Sequence, residues 1–190
     1  MPPKTQITKE MVLEAGFKLI RESGIESLNV RRVAAALNCS TQPVMYCFAT
    51  VEELRNELYQ KADKFHSEYL LNIDTESEDP MMSIGMNYIR FAYEEKYLFR
   101  FLFQTDKFSG TGLIQLTESE ELEPMLDILK DSAEISKEQA KEVFTQLFLT
   151  VHGIAALLAN NSMEFDETRF AGALTTAFYG TIGFMKGEEI

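Results

Sequence analysis

Residues 28–54, LNVRRVAAALNCSTQPVMYCFATVEEL, leave the backbone little choice of local structure. The Asn29 side-chain oxygen can accept one of the amide protons that the first turn of a helix leaves unpaired. Leu28 and Val33 stand at the two positions of a hydrophobic staple around that cap. Val30, Val33, Ala34 and Leu37 then recur at helical spacing and form one apolar stripe. Asn38 follows, a residue that tolerates a left-handed backbone at a helix end. Ser40 is placed to cap a second short helix through the amide of Gln42, since Pro43 has none, and Thr50-x-x-Glu53 is a capping box for a third. A capped helix, a turn of about three residues and another short helix describe a helix-turn-helix.

The flanks supply what so small a motif needs. Thr8 caps a preceding helix that runs to about Ser23 and stops at Gly24, with Met11, Val12, Ala15, Leu19 and Ile20 on its apolar face. That face covers Val30, Val33, Leu37, Val44 and Phe48 in a three-helix core. A long helix from Val51 to about Leu71 shares Leu54 and Leu58 with this core. Residues 72–79 are acidic and polar and read as a linker. Asp79-Pro80 opens the next helix, with proline tolerated in its first turn. The run at 97–103, YLFRFLF, is almost wholly apolar, a turn-rich loop follows at 108–112, and a helix is expected over 118–129. Ser136-x-x-Gln139 opens a long helix to about Asn160, and Asp166 caps a last one ending near Gly187. The fold class is therefore all-α, with about nine helices. Residues 1–50 are expected to form a three-helix domain and residues 51–190 a larger helical one.

The run VRRVAAALNCSTQPVMYCFATVEEL resembles the DNA-binding segment of TetR-type transcriptional regulators, whose pattern there is roughly T-V-R-x-I-A-x-x-x-G-V-S-x-x-T-L-Y-x-H-F-x-S-K-E-E-L. Arg31, Ala34, Ser40, Tyr46, Phe48, Glu52, Glu53 and Leu54 match it directly. Cys47 and Val51 stand where the pattern has histidine and lysine. Further along, His152-Gly153 in HGIAALLAN is similar to a His-Gly signature in the ligand domain of one subfamily. The resemblance implies a homodimer whose last two helices meet their symmetry mates in a four-helix bundle. It also implies a ligand-responsive regulator, a repressor, released from a palindromic double-stranded operator by a small hydrophobic effector.

A helix-turn-helix lays its second helix in the major groove, where base edges present distinct donors and acceptors. The reading helix is 40–46, with Thr41 and Gln42 at its start, and glutamine can bond adenine bidentately. Asn29, Arg31, Arg32, Ser40 and Tyr46 complete the candidate DNA-binding set, with phosphate oxygens as partners for Asn29, Arg31 and Tyr46 and a guanine edge as the alternative partner for Arg31. Capping alone is the competing role for Asn29 and Ser40. The aromatic residues beyond position 80, among them Phe99 and Phe108, either fill a core or line a cavity. The resemblance implies an effector pocket drawn from Tyr88, Phe91, Phe103, Met125, Phe144, Phe148 and His152.

Charge qualifies this reading. The chain carries a net −12, but residues 1–66 hold 9 Lys/Arg against 8 Asp/Glu, a net of +1. Residues 67–190 hold 9 against 22, a net of −13. The acidity lies away from the candidate DNA-reading part, where only Lys4, Lys9, Arg31 and Arg32 form a local basic cluster. A helical protein-interaction module with weak or no DNA binding is the alternative. The two histidines lack the spacing of a metal pair, and no catalytic triad, paired-carboxylate signature or phosphate loop accompanies them, so neither an enzyme nor a metal or other cofactor is expected. The two cysteines make no disulfide framework and fit a reducing cytoplasm. No apolar stretch is expected to reach the roughly 18 residues of a membrane span.

Overall fold

A computed structural model describes residues 6–73, 79–104, 118–120 and 122–187. Lys4, Phe108 and the turn-rich loop at 108–112 lie outside them. The described residues are all-helical, without a strand, as expected. The helices are α1 (Lys9–Ser23), α2 (Val30–Ala36), α3 (Thr41–Cys47), α4 (Val51–Leu70), α5 (Pro80–Glu94), α6 (Lys96–Phe103), α7 (Glu123–Ala133), α8 (Lys137–Asn160) and α9 (Glu167–Lys186), with a 3-10 turn at Ile25–Ser27.

Most boundaries follow from side chains that satisfy the orphan amides of a first turn. Thr8 Oγ1 accepts from Met11 N at 3.3 Å, Asp79 Oδ1 from Met82 N at 2.9 Å, and Asp166 Oδ1 from Arg169 N at 3.0 Å. Ser136 and Gln139 form the reciprocal capping box of α8. At α4 the Thr50 hydroxyl accepts from Glu53 N at 3.0 Å, while the Glu53 carboxylate takes the amide of Ala49 rather than that of Thr50. Gly24 ends α1 at φ 79°, a conformation that only glycine adopts cheaply, and a Cβ there would lie 3.3 Å from the Tyr97 ring. α7 starts at Glu123, five residues later than expected, with Pro124 in its first turn.

The chain divides into two compact units. The first comprises Met1–Tyr69 with Glu95–Thr105, and the second Leu70–Glu94 with Asp106–Ile190. The first unit is thus larger than residues 1–50. Its core takes Val12 and Ile20 of α1, Val33 and Ala34 of α2, Val44 of α3 and Phe48, all nearly inaccessible. Leu54, Leu58 and Ala62 prolong that core along α4. Leu98, Phe99, Phe101 and Leu102 of α6 are equally buried, and α6 packs on α1. Each such side chain contributes about 1.5–3 kcal/mol when withdrawn from water, so the apolar residues at 97–103 can recruit a helix that is distant in sequence.

An ion pair marks the start of α6. Arg21 Nε donates to Glu95 Oε2 at 2.7 Å, and a second guanidinium nitrogen donates to Glu95 Oε1. The Glu95 side chain is 10% exposed and that of Arg21 47%. A further buried group, His66 of α4, packs its ring edge-on to Phe103 at 5.1 Å.

In the second unit α8 lies against α5, α7 and α9. Leu129, Ile135, Ala140, Val143 and Ile182 form a buried cluster, flanked by Phe144, Leu147 and Phe178. The expectation about membrane-length segments needs correction, because α8 is long and apolar enough to cross a membrane by length and composition. Ala140, Val143, Val151, Ala155 and Leu158 are buried in the unit, while Leu149 and Leu157 are exposed on the same helix. Apolar residues around more than one face raise its hydropathy to that of a span.

Candidate nucleic-acid interface and aromatic cluster

The α2–α3 segment is built by short-range hydrogen bonds. Asn29 is extended, its Oδ1 accepts from Arg32 N at 3.0 Å, and its Nδ2 donates to Ser27 O at 3.4 Å. The turn after α2 closes through Cys39 N donating to Ala34 O at 3.0 Å, with Asn38 left-handed at φ 52°. Val33, Ala34 and Val44 face inward. All seven candidate residues, Asn29, Arg31, Arg32, Ser40, Thr41, Gln42 and Tyr46, are consequently exposed.

Their engagements differ. Asn29 is committed to its cap. Ser40 makes no capping bond to α3, contrary to expectation. The amide three residues on is the usual partner of a cap, and Pro43 has none there to give. Gln42 Nε2 donates to Tyr46 Oη at 2.8 Å across one helical turn, and Tyr46 is 80% exposed. Neither the Arg31 nor the Arg32 guanidinium meets a carboxylate among the described residues. Lys9 does not join them as an available cation. It is paired with Glu57, stands 5.2 Å from the Phe48 ring centre, and its pKa is raised chiefly by the Glu57 hydrogen bond.

Sequence reasoning missed a groove of about 410 Å³ in the same unit, lined by Ile25, Glu26, Leu28, Val51, Glu52 and Arg55. Leu28 immediately precedes the α2 cap, and Val51 and Glu52 open α4. The Arg55 Nε–H is buried there without an acceptor. Nothing in the local pattern of α4 distinguishes this arginine from any other surface cation.

The second unit gathers part of the expected pocket. Tyr88 of α5 and His152 of α8 share a 2.9 Å hydrogen bond between the phenolic oxygen and Nδ1. Burial pushes the Tyr88 phenol up and the His152 imidazole down, so both are neutral near pH 7. The imidazole tautomer decides which of the two groups donates. Phe144, Phe148 and His152 occur every fourth residue along α8 and stack, with neighbouring ring centres 6.1 and 5.4 Å apart and planes 20° apart. Tyr88 meets Phe148 edge-on at 6.3 Å. Phe91 is fully buried on α5 and Met125 half-buried on α7.

Phe103 is placed differently. It belongs to the first unit, against His66 and Phe99. Its helix follows α5 after a single residue but packs in the other unit.

No family model matches the chain, and no curated protein is detectably similar to it.

Cys39 and Cys47 are half-buried free thiols, and the Cys47 Sγ approaches the Ile7 carbonyl at 4.0 Å. Among the described residues no three of His, Cys, Asp and Glu converge as metal ligands. Large apolar side chains are nevertheless exposed on both terminal helices, namely Leu149 and Leu157 on α8 and Tyr179 and Phe184 on α9. A Cβ added at Gly153, Gly172 or Gly180 would meet nothing within 4 Å.

Proposed function

We propose that the chain is a TetR-like, ligand-responsive transcriptional regulator, a repressor in the cytoplasm, that binds a palindromic operator as a homodimer. α2 and α3 act as its helix-turn-helix. The observation that carries the reading is the set of seven polar side chains exposed together on these two helices, over an apolar core that holds the pair in place. Gln42 and Tyr46 meet across one turn, which presents an amide and a phenol as a unit to a groove edge and its flanking phosphate. Arg31 and Arg32, unspent on carboxylates, supply phosphate contacts.

Two heads are needed because each has few cations. The exposed Leu149, Leu157, Tyr179 and Phe184 beside open glycines support pairing of α8 and α9 with a second copy. Half-sites one helical turn apart, roughly 34–36 Å, follow from such a pair. The Tyr88–Phe148–His152 cluster is the proposed effector-sensing element. An apolar compound acts there by binding the operator-competent and incompetent states with different affinity.

The test uses in vitro selection of duplexes by the full chain. Gln42→Ala and Tyr46→Ala should each weaken binding of the enriched duplex, the former by about 1–3 kcal/mol for a lost bidentate base contact and the latter through a lost phosphate contact, with the dimer intact by light scattering. Unchanged affinity in both variants refutes this assignment of the reading helix. Met45, Tyr46 and Val51 expose apolar surface on the same segment, which favours a protein-contact module as the second reading. That reading predicts no enriched duplex.

A further inference from the structure

We propose that Arg55 is a phosphate-gripping residue of the nucleic-acid interface, acting from the groove between the 3-10 turn and the start of α4. The inference rests on the DNA-binding reading and extends it to a residue outside α2 and α3. Three observations carry it.

Arg55 has no ion pair and no hydrogen bond among the described residues, although Glu26 and Glu52 line the same groove. Its Nε–H is buried without an acceptor, a state that burial penalises and that an oxygen-bearing partner would relieve. Position is the third observation. The groove wall runs from Ile25 and Leu28, just before the Asn29 cap, to Val51 at the head of α4. It therefore borders the residues proposed to meet DNA.

Arginine suits this task. The groove has apolar walls, Ile25, Leu28 and Val51, on which an aliphatic stem can lie while its guanidinium turns toward a phosphate and bonds two of its oxygens. Arg55 is also the only cation in the first two turns of α4, residues 51–58. The two carboxylates in the groove oppose an anion. Removing either charge should accordingly tighten binding.

The experiment titrates the full chain against the duplex enriched by in vitro selection, from 50 to 200 mM salt. Arg55→Gln, which keeps most of the stem, should lower the salt slope by about one for each head, hence about two for a dimer. Arg55→Lys should restore the slope, and the ranking of base-substituted duplexes should not change, because phosphate contacts carry no sequence information. Glu26→Gln and Glu52→Gln should bind more tightly. If Arg55→Gln keeps both slope and affinity while Arg31→Gln weakens binding, the Arg55 assignment is wrong and the DNA-binding reading stands. If the unmodified chain enriches no duplex, both fall. Circular dichroism of each variant separates lost contact from lost fold.

Discussion

The Arg21–Glu95 pair makes an asymmetric prediction, because its two members are unequally buried. The Glu95 side chain is 10% exposed and the Arg21 side chain 47%. Arg21→Met removes the cation but keeps the apolar stem, and strands a carboxylate inside the first unit. Breaking a buried pair in this way costs about 3–5 kcal/mol, and the half-exposed arginine places the loss near 3. Glu95→Gln keeps the shape and one acceptor, and leaves an arginine that water already reaches. Its cost should be about 1 kcal/mol. At roughly 2–4 °C per kcal/mol for a chain of this size, calorimetry should show Tm lower by about 6–12 °C for Arg21→Met and about 2–4 °C for Glu95→Gln. Equal losses for the two variants would refute the argument from burial.

Two further outcomes concern stability. Asn29→Ala should lower the urea midpoint by the equivalent of about 1 kcal/mol, since the cap of α2 is lost, whereas Ser40→Ala should change it by a few tenths at most because no cap exists there to lose. His66 is 7% exposed, and burial lowers its pKa from 6.5 to about 4. The unfolded chain therefore binds the extra proton more readily between those values. The His66 contribution, about 3 kcal/mol, is fully present above pH 6.5 and is lost as pH falls toward 4. Urea titrations at pH 7.5, 6 and 5 should show that slope, and His66→Leu should flatten it; an unchanged slope in the variant would place the titrating group elsewhere.

Helix starts were legible because they depend on hydrogen bonds within three residues. Thr8, Asn29, Ser136 and Asp166 all cap where their positions before apolar periodic runs indicate. Ser40 is the exception, because Pro43 leaves it only the Gln42 amide and it does not take that one. The exposure of Arg31, Thr41, Gln42 and Tyr46 also follows from pattern, since Val33, Ala34 and Val44 claim the other side of each helix. What sequence could not supply was the destination of each apolar helix. The YLFRFLF run reads as buried, but only its packing on α1 assigns Phe103 to the first unit rather than to the Tyr88 cluster. Arg21 and Glu95 are 74 residues apart, and no periodicity joins them. Arg55 was equally invisible, because a groove is a property of three segments together.

The return of the chain at residue 95 has a consequence for the order in which the protein can mature. The first unit is interrupted after Tyr69 and finished only by Glu95–Thr105. A nascent chain emerging from the ribosome amino end first holds α1 to α4 long before it holds α6. During that interval Arg21 lacks Glu95, Tyr59 lacks the Phe101 ring and His66 lacks the Phe103 ring. At about 5–20 residues per second, the wait for the next 36 residues lasts seconds, far longer than a helical segment needs to collapse. A fragment ending near residue 70 should thus be sticky and protease-sensitive where one ending near residue 105 is not, and chaperones that hold exposed apolar helices have their opening in that interval.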